Sequence, residues 1–427
     1  MNKPDILSSI KQLIENYAGE SLAQRFDPAN PRVLLHEPTF GSQEVWEAVD
    51  SLLSTQVTMG AKVKRFENEF AEHFKFPNAS MVNSGSSANL LAVSALSNPA
   101  RDLRLQPGDE VIVPALSWST TIWPLIQHGL VPVIVDIDPV TFNVEPEQIE
   151  RAVSDKTKGI MLVHVYGNPC KMDDVMEIVN RRSILLIEDC CEALGASYGD
   201  KSVGSFGVVG TFSFYFSHHI TTLEGGMCVT EDDELAELMR VLRAHGWVRE
   251  TNHPESYAKE YPGFHPRFLF VNTGYNLRAT ELQGGFGYVQ LPKLRTFVET
   301  RTDNAAYWRR ELGELDQFFD YQMETPGGRH SWFGFPMAVK EQAPFKVGDL
   351  CDFLNARGVE TRPIVAGNIA TQPAMRYYEH RVVGDLAHTN NVMRNGFTFG
   401  NHQDVDGPAR EYITGVIKEF AAERGLL

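Results

Sequence analysis

Short apolar runs alternate with helical stretches through the middle of the chain, and this alternation limits the possible folds more than any other feature. The predicted strands lie at residues 81–82, 111–113, 133–135, 161–163, 184–187, 209–216 and 226–230. Continuous apolar strands separated by helices are typical of a parallel sheet that is covered on both faces. The pattern therefore predicts an α/β protein whose ligands bind where the strands end.

The segments before and after this alternation predict further parts of the chain. Before it, the apolar periodicity predicts helices at residues 5–18, 43–54 and 62–75. Beyond residue 290 the pattern changes to longer helices and scattered strands. We therefore predict an N-terminal helical segment (1–57) that packs on the small domain, a large domain (58–290) and a small C-terminal domain (291–427).

The composition excludes several classes of protein. The chain carries 39 Lys and Arg against 55 Asp and Glu, so its net charge of −16 disfavours nucleic acid and anionic membranes as partners. No apolar run approaches the ~20 residues that span a bilayer, and no signal peptide is expected at the N-terminus. The five cysteines form no metal-ligand or disulfide pattern. We therefore expect a cytoplasmic protein with no membrane segment and no metal ion.

Small and hydroxyl-bearing residues follow the first strand of the predicted sheet. Residues 83–89 read Asn-Ser-Gly-Ser-Ser-Ala-Asn and lead into an apolar helix. Free N–H groups at the start of a helix, with added hydroxyl donors, form a cradle for a phosphate group. A plain helix cap is the alternative interpretation, because Ser is a favoured N-cap residue.

Later strands end in an aromatic residue and in carboxylates. Trp118 follows the second strand, where it either stacks on a planar cofactor or packs in the core. Glu188, Asp189 and Glu192 follow the strand at 184–187. A carboxylate at the end of a buried strand is costly without a partner, and the protonated nitrogen of a pyridine ring is one such partner. A helix N-cap is the alternative role.

A further motif at residues 213–226 begins with Ser213, contains His218 and His219, and ends in Glu-Gly-Gly. The order of these features resembles the DegT/DnrJ/EryC1/StrS family of pyridoxal-phosphate-dependent, aminotransferase-like enzymes that modify sugars. The resemblance runs from about residue 35 to the C-terminus. It includes Gly-Tyr-Asn-Leu-Arg at residues 274–278 and Glu-Leu-Gln at 281–283.

The resemblance implies a fold and a binding site for the cofactor ring. The fold is the aspartate aminotransferase-like fold type I, with a mixed, mostly parallel seven-stranded sheet between helices and a smaller α+β C-terminal domain. Trp118 is expected to stack on the ring and Asp189 to bind the pyridine nitrogen. Glu192, where many relatives have Gln, is expected near the ring hydroxyl.

The resemblance also implies how the cofactor phosphate is held. Gly85, Ser86 and Ser213 are expected to bind it within one chain. Asn276 is expected to reach the phosphate in the neighbouring subunit, which implies a homodimer with shared active sites.

One departure from the family pattern decides the expected reaction. Aminotransferases of the family carry a lysine five residues after the position of Ser213, and this chain has His218 there. A lysine amine forms a Schiff base with the cofactor aldehyde, whereas an imidazole cannot. The cofactor is therefore expected to bind non-covalently, as pyridoxamine or pyridoxal phosphate. Histidine can still move a proton near neutral pH, so His218 is the expected catalytic residue.

The change from lysine to histidine is similar to the sugar 3-dehydratases of this family. They remove the C3 hydroxyl of nucleotide-linked 4-keto-6-deoxyhexoses in the synthesis of 3,6-dideoxysugars, as found in lipopolysaccharide O-antigens. One branch holds a [2Fe–2S] cluster on four cysteines and requires a reductase. The sequence contains no cysteine between Cys228 and Cys351, so we expect no iron–sulfur cluster and no reductase.

The resemblance to the cluster-free branch implies GDP-4-keto-6-deoxymannose as the substrate and L-glutamate as the amine donor. Candidates for binding the nucleotide diphosphate are Arg249, Arg278, Arg329 and Arg362, because guanidinium groups fit phosphate geometry. A surface or structural role for each arginine is the alternative. Two other functions remain open: a nucleotide-sugar aminotransferase with a base other than lysine, and a non-catalytic relative that binds the cofactor.

Overall fold

A computed structural model describes residues 3–427. The helices are α1 (Lys3–Ala18), α2 (Ser42–Leu53), α3 (Ala61–Phe74), α4 (Gly85–Leu96), α5 (Ser119–Gln127), α6 (Pro146–Ala152), α7 (Met172–Arg182), α8 (Asp233–Arg243), α9 (Pro254–Glu260), α10 (Glu281–Gln290), α11 (Leu294–Glu311), α12 (Val347–Ala356), α13 (Ala387–Asn395) and α14 (Gly407–Glu423). Of the helices within residues 3–427, none combines the length and the apolar character that crossing a bilayer requires.

The strands are β1 (Asn78–Val82), β2 (Glu110–Pro114), β3 (Val131–Val135), β4 (Thr157–Val163), β5 (Leu185–Asp189), β6 (Ser197–Tyr198), β7 (Lys201–Ser202), β8 (Val209–Ser213), β9 (Gly226–Thr230), β10 (Phe319–Tyr321), β11 (Gly328–Arg329), β12 (Met337–Val339), β13 (Thr361–Arg362), β14 (Arg381–Val382) and β15 (Gly396–Phe399). The large sheet has the order β1-β9-β8-β5-β4-β2-β3-β14. Strand β9 runs antiparallel to both neighbours, and the pairs from β8 to β14 are parallel. The sheet is therefore mixed and mostly parallel, as predicted.

Two details of the large sheet differ from the prediction. The two-residue strand β14 pairs in parallel with β3 and makes eight strands rather than seven. Arg381 in this strand also forms an ion pair with Glu110 at 2.6 Å. Glu188 and Asp189 belong to β5 rather than following it, because Asp189 still pairs with both β4 and β8.

Helices cover both faces of the large sheet. Helices α4, α5 and α8 contribute Leu91, Leu125 and Met239 to the core on one face. Helices α6 and α7 contribute Ile149 and Val175 to the core on the other face. This burial of both faces explains why the strand sequences are continuously apolar rather than alternating.

The C-terminal part of the chain builds a second, smaller core. An antiparallel sheet with the order β10-β12-β15-β13 packs with α11, α12 and α14 around Trp308 and Phe420. From the N-terminal segment, Val33 joins this core and pairs with Val359, whereas α2 packs against α10. The domain boundaries at 57 and 290 stay predictions.

Candidate active site

A cavity of about 470 Å³ lies where β4, β5 and β8 end, at the start of α4. It is lined by eight of the residues that the sequence singled out: Gly85, Ser86, Trp118, Asp189, Glu192, Ser213, His218 and Arg362. Side chains that are far apart in the sequence therefore meet at one edge of the large sheet. This is the edge at which ligands bind in parallel sheets.

The start of α4 forms one wall of the cavity. Ser84 caps the helix by accepting a hydrogen bond from the Ser87 N–H at 3.1 Å. A Cβ atom on Gly85 would lie 2.5 Å from the Ser213 Cβ, so only glycine lets the helix start approach the end of β8 this closely. The first N–H groups of a helix have no partners within it, and the Ser86 and Ser213 hydroxyls lie beside them. These donors fit a phosphate group.

Asp189 lies at the end of β5 with only 4% of its surface exposed. Its Oδ2 accepts hydrogen bonds from Asn89 Nδ2 at 2.8 Å and Thr121 Oγ1 at 2.7 Å. Its Oδ1 accepts the N–H of Cys191 at 3.1 Å. Three donors hold the carboxylate in one orientation beside the cavity. This arrangement is suited to a positively charged ring nitrogen.

Glu192 is the second carboxyl group of the cavity. Its Oε2 accepts the N–H of Tyr166 at 2.9 Å. Burial raises the pKa of Glu192 to about 7; the Tyr166 hydrogen bond and the Arg362 charge oppose the shift, and Asp189 adds to it. The carboxyl group therefore exists in both its acid and its base form near neutral pH.

His218 presents its imidazole to the cavity and stacks on Phe333, with 5.0 Å between ring centroids and 28° between ring planes. Its Nδ1 has no hydrogen-bond partner among residues 3–427. The pKa of His218 is lowered to about 3, mainly by burial and also by the Arg362 and Arg301 charges, while a hydrogen bond with the Cys191 backbone opposes the shift. His218 is therefore a neutral imidazole at pH 7, with a ring nitrogen free to accept a proton.

The neighbouring His219 has a different environment. It is fully buried, and its Nε2 donates a hydrogen bond to the Ser331 carbonyl at 2.9 Å. Its side chain joins the loop after β8 to the segment that carries Phe333. The two histidines of the motif therefore face different surroundings, and His218 is the one that lines the cavity.

Four predicted site residues lie outside this cavity in the single chain. Asn276 is exposed and accepts a hydrogen bond from Arg278 Nε at 3.0 Å. Arg278 lines a neighbouring surface depression, while Arg249 is exposed 3.7 Å from Glu250 and Arg329 is exposed in β11. The roles assigned to these four residues stay predictions.

Sequence reasoning missed several side chains of the site. Asn89 and Thr121 orient Asp189, and a polar Asn within the apolar helix α4 was a signal that pointed to such a role. Phe333 reaches the cavity from the segment between β11 and β12. No local pattern marks it, because its position depends on packing between distant parts of the chain.

A buried group beside the site brings His164, Glu188 and Cys190 within metal-binding reach of one another. His164 Nδ1 accepts the N–H of Cys170, so its Nε2 carries the proton and donates to Glu188 at 3.1 Å. Glu188 also accepts N–H groups of the loop 204–207. The atoms of His164 and Glu188 that could bind a metal ion are therefore engaged in hydrogen bonds that fix the loop, which is a structural role.

Comparison with known proteins places these observations in a family. Residues 38–418 match the DegT/DnrJ/EryC1/StrS aminotransferase family. A GDP-4-keto-6-deoxy-D-mannose 3-dehydratase of Escherichia coli is 40% identical over 377 residues, which cover 87% of this chain and 96% of that protein.

Two solved structures of GDP-4-keto-6-deoxymannose 3-dehydratase are also similar. One, from E. coli with bound hydrated PLP, has a TM-score of 0.83 at 38% identity and covers 90% of this chain and 99% of its own. Another, with a trapped PLP–glutamate geminal diamine, has the same TM-score and identity and covers 90% and 100%. The likeness confirms the predicted fold type I. From the extent of these matches, the chain belongs to the DegT/DnrJ/EryC1/StrS aminotransferase family.

Proposed function

We propose that this protein is a pyridoxal-phosphate-dependent 3-dehydratase. It removes the C3 hydroxyl of a nucleotide-linked 4-keto-6-deoxyhexose, with GDP-4-keto-6-deoxymannose as the substrate. The observation that carries the proposal is His218, a neutral imidazole in the cavity at the position where aminotransferases of the family have lysine. The relatives named 3-dehydratase, at 38–40% identity over most of the chain, support the same reaction.

The residues around the cavity fit the cofactor. Gly85, Ser86 and Ser213 would hold its phosphate at the start of α4, and Trp118, 55% exposed, would cover the ring. Asp189 would bind the ring nitrogen through a carboxylate that is already oriented. When bound, the cofactor supplies an electron sink for the carbon skeleton of the sugar.

Glu192 would lie near the ring hydroxyl of the cofactor, as its position beside Asp189 in the cavity supports. Its pKa of about 7 lets it donate or accept a hydrogen bond there near neutral pH. Among the candidate arginines, Arg362 lines the cavity, and it would bind an anionic group of the substrate.

His218 would carry the proton in this reaction. As a neutral imidazole it can take up a proton at a ring nitrogen, but it cannot bond to an aldehyde carbon as a lysine amine does. The imidazole that has taken up this proton can then give it to the departing hydroxyl. We therefore propose that the cofactor is held without a covalent bond to the chain.

The proposed reaction requires neither an iron–sulfur cluster nor a reductase. The stretch between Cys228 and Cys351 lacks the thiolates that a cluster needs. We propose L-glutamate as the amine donor, which the PLP–glutamate adduct in the similar structure supports. A homodimer would complete the site through Asn276.

The direct test is mass spectrometry of the sugar product. Purified protein is incubated with pyridoxamine phosphate, L-glutamate and either GDP- or CDP-linked 4-keto-6-deoxyhexose, without a reductase. A product that lacks one oxygen with the GDP sugar is expected. An aminosugar would instead identify an aminotransferase, and cofactor binding without any product would identify a non-catalytic relative.

Two variants control this test. His218→Asn removes the proton carrier, and we expect it to lower turnover by about 10²–10⁴-fold while cofactor binding persists. His388→Asn makes the same change at an exposed position on α13 and is expected to leave turnover unchanged. Equal turnover in the His218 variant and the wild type would contradict the role of His218.

A further inference from the structure

A short segment from the C-terminal half, residues 330–333, ends in Phe333, which lines the cavity, and we call this segment the strap. The Ser331 N–H donates to the Gly167 carbonyl at 3.0 Å, and the Phe333 N–H donates to the Tyr166 carbonyl at 2.8 Å. The strap is thereby attached to the backbone that follows β4. Tyr166 itself has a left-handed φ of 57°, a conformation that residues other than glycine rarely adopt. The surrounding structure must therefore hold the backbone in this conformation.

Two buried side chains attach the strap from other directions. His219 Nε2 donates to the Ser331 carbonyl at 2.9 Å, and Arg301 Nη1 donates to the Phe333 carbonyl at 3.0 Å. His219 is fully buried and Arg301 is 2% exposed. Because buried polar groups are costly without partners, these bonds strongly favour one position of the strap.

The strap presents the Phe333 ring to His218. The rings are nearly parallel, with centroids 5.0 Å apart. Phe333 has no polar atom, so the contact fixes the plane of the imidazole without occupying either ring nitrogen. A carboxylate that orients a catalytic histidine would, in contrast, take up one nitrogen and favour the protonated ring.

We propose that Phe333 is a positioning residue for His218, and that His219 and Arg301 hold Phe333 against it. The inference rests on the proposed function, because it takes His218 as the proton carrier. It also assigns a purpose to the pair of histidines: the first faces the cavity, and the second attaches the loop to the strap.

The stacked ring also excludes water from one face of the imidazole. The titratable and charged groups around His218 are Arg301, Arg362, His219, Glu192, Asp189, Cys191 and Tyr215. Substituting Phe333 leaves all of them in place and admits water. Since burial is the main reason that the pKa of His218 is low, the pKa should rise when the ring is removed.

Phe333→Leu and Phe333→Met test the proposal, with Phe333→Tyr as the matched variant that keeps the ring. We expect kcat for dehydration to fall about 10²-fold in the Leu and Met variants, because small misplacements of a catalytic group have effects of this size. KM should stay within about twofold of the wild type, and the Tyr variant should retain most of kcat. The acid limb of the kcat–pH profile should move upward in the Leu and Met variants only.

Side-chain NMR of ¹⁵N-histidine-labelled protein, with and without pyridoxal phosphate, gives a readout independent of turnover. The His218 signals are identified by their loss in His218→Asn. We expect the pH at which the His218 signals change from neutral imidazole to imidazolium to be higher in the Leu and Met variants than in the wild type and the Tyr variant. Unchanged His218 signals in both variants would overturn the proposal, whatever happens to kcat. If the wild type forms no deoxygenated sugar, the proposed function fails, and the NMR comparison still decides the role of Phe333.

Discussion

At the scale of single residues, the contact between Gly85 and Ser213 shows how closely the cavity wall is built. An added methyl group at Gly85 would lie 2.5 Å from the Ser213 Cβ and 3.0 Å from Cys191 Sγ. Neither neighbour is a flexible chain end, so the start of α4 would have to move away from the end of β8. The donors proposed to bind the phosphate would separate with it.

Gly85→Ala is therefore expected to weaken pyridoxal phosphate binding at least tenfold and to destabilise the fold by about 1–3 kcal/mol. Fluorescence titration and denaturant unfolding measure the two effects. Gly407→Ala is the control, because Gly407 also begins a helix and, apart from its chain neighbours and the backbone of its own helix turn, no atom of residues 3–427 would lie within 4 Å of the added carbon. Similar cofactor affinity in the two variants would show that the close approach does not shape the site.

The residues of the site differ in whether sequence reasoning could find them. Gly85, Asp189 and His218 lie at or after strand ends, and the strand pattern itself points to these positions. Phe333 and Arg301 reach the site through tertiary packing of the C-terminal half, which no local periodicity encodes. The low pKa of His218 could not be predicted from the sequence, because it depends on burial and on two arginines that are far from His218 along the chain.

At the scale of elements, helices α3 and α10 are joined by one buried carboxylate. Glu281, at the start of α10, accepts N–H groups of Gly60 at 2.7 Å, Lys62 at 2.8 Å and Val63 at 3.1 Å. It caps the start of α3 from another helix, a role that no local sequence pattern contains. The predicted bounds of α1, α2 and α3 nevertheless lie within two residues of those observed, since they follow from local periodicity.

Glu281→Ala is expected to lower the free energy of unfolding by about 3 kcal/mol, since it leaves three helix-start donors without their charged acceptor. Glu281→Gln should lower the free energy of unfolding by less, because its amide oxygen still accepts hydrogen bonds from these N–H groups. Urea unfolding followed by circular dichroism measures both. Glu299→Ala, which removes an exposed carboxylate of α11, is the control and should leave the midpoint unchanged. A midpoint for Glu281→Ala equal to that of the control would contradict the capping role.

At the scale of the whole molecule, several buried histidines make stability depend on pH. Burial lowers the pKa of His218 and His402 to about 3, and it lowers the pKa of His219 and His330 well below 6.5. Below pH 6.5 these histidines bind protons in the unfolded chain but stay neutral in the folded chain. The free energy of unfolding therefore falls as the pH drops toward 3. Glu192 opposes this trend between about pH 4.5 and 7, because burial raises its pKa to about 7.

We therefore expect the free energy of unfolding to fall between pH 6.5 and 4, by about 1.4 kcal/mol per pH unit for each histidine that stays neutral. His402→Gln should remove one such contribution and flatten the slope by that amount. Urea unfolding at a series of pH values measures the slope. A slope in the variant equal to that of the wild type would show that His402 is protonated in the folded state.

The proposed homodimer also predicts behaviour at this scale. If Asn276 completes the partner's site, His218→Asn and Asn276→Ala chains are each inactive as homodimers. Random pairing of the two gives half heterodimers, each with one intact site, so co-expression should restore about a quarter of wild-type turnover. Activity assays of the co-purified pair test this expectation. If a verified heterodimer shows no recovery of turnover, the prediction that the two subunits share their active sites is wrong.

The short strand β14 makes the large domain depend on the C-terminal half of the chain. It covers the free edge of β3, an apolar strand with its backbone otherwise open to pairing. A chain that ends before residue 381 would present that edge to other molecules, and uncovered edges of this kind recruit strands from neighbouring chains. Fragments of the large domain alone should therefore aggregate, because they lack β14, the strand from the C-terminal half that covers this edge.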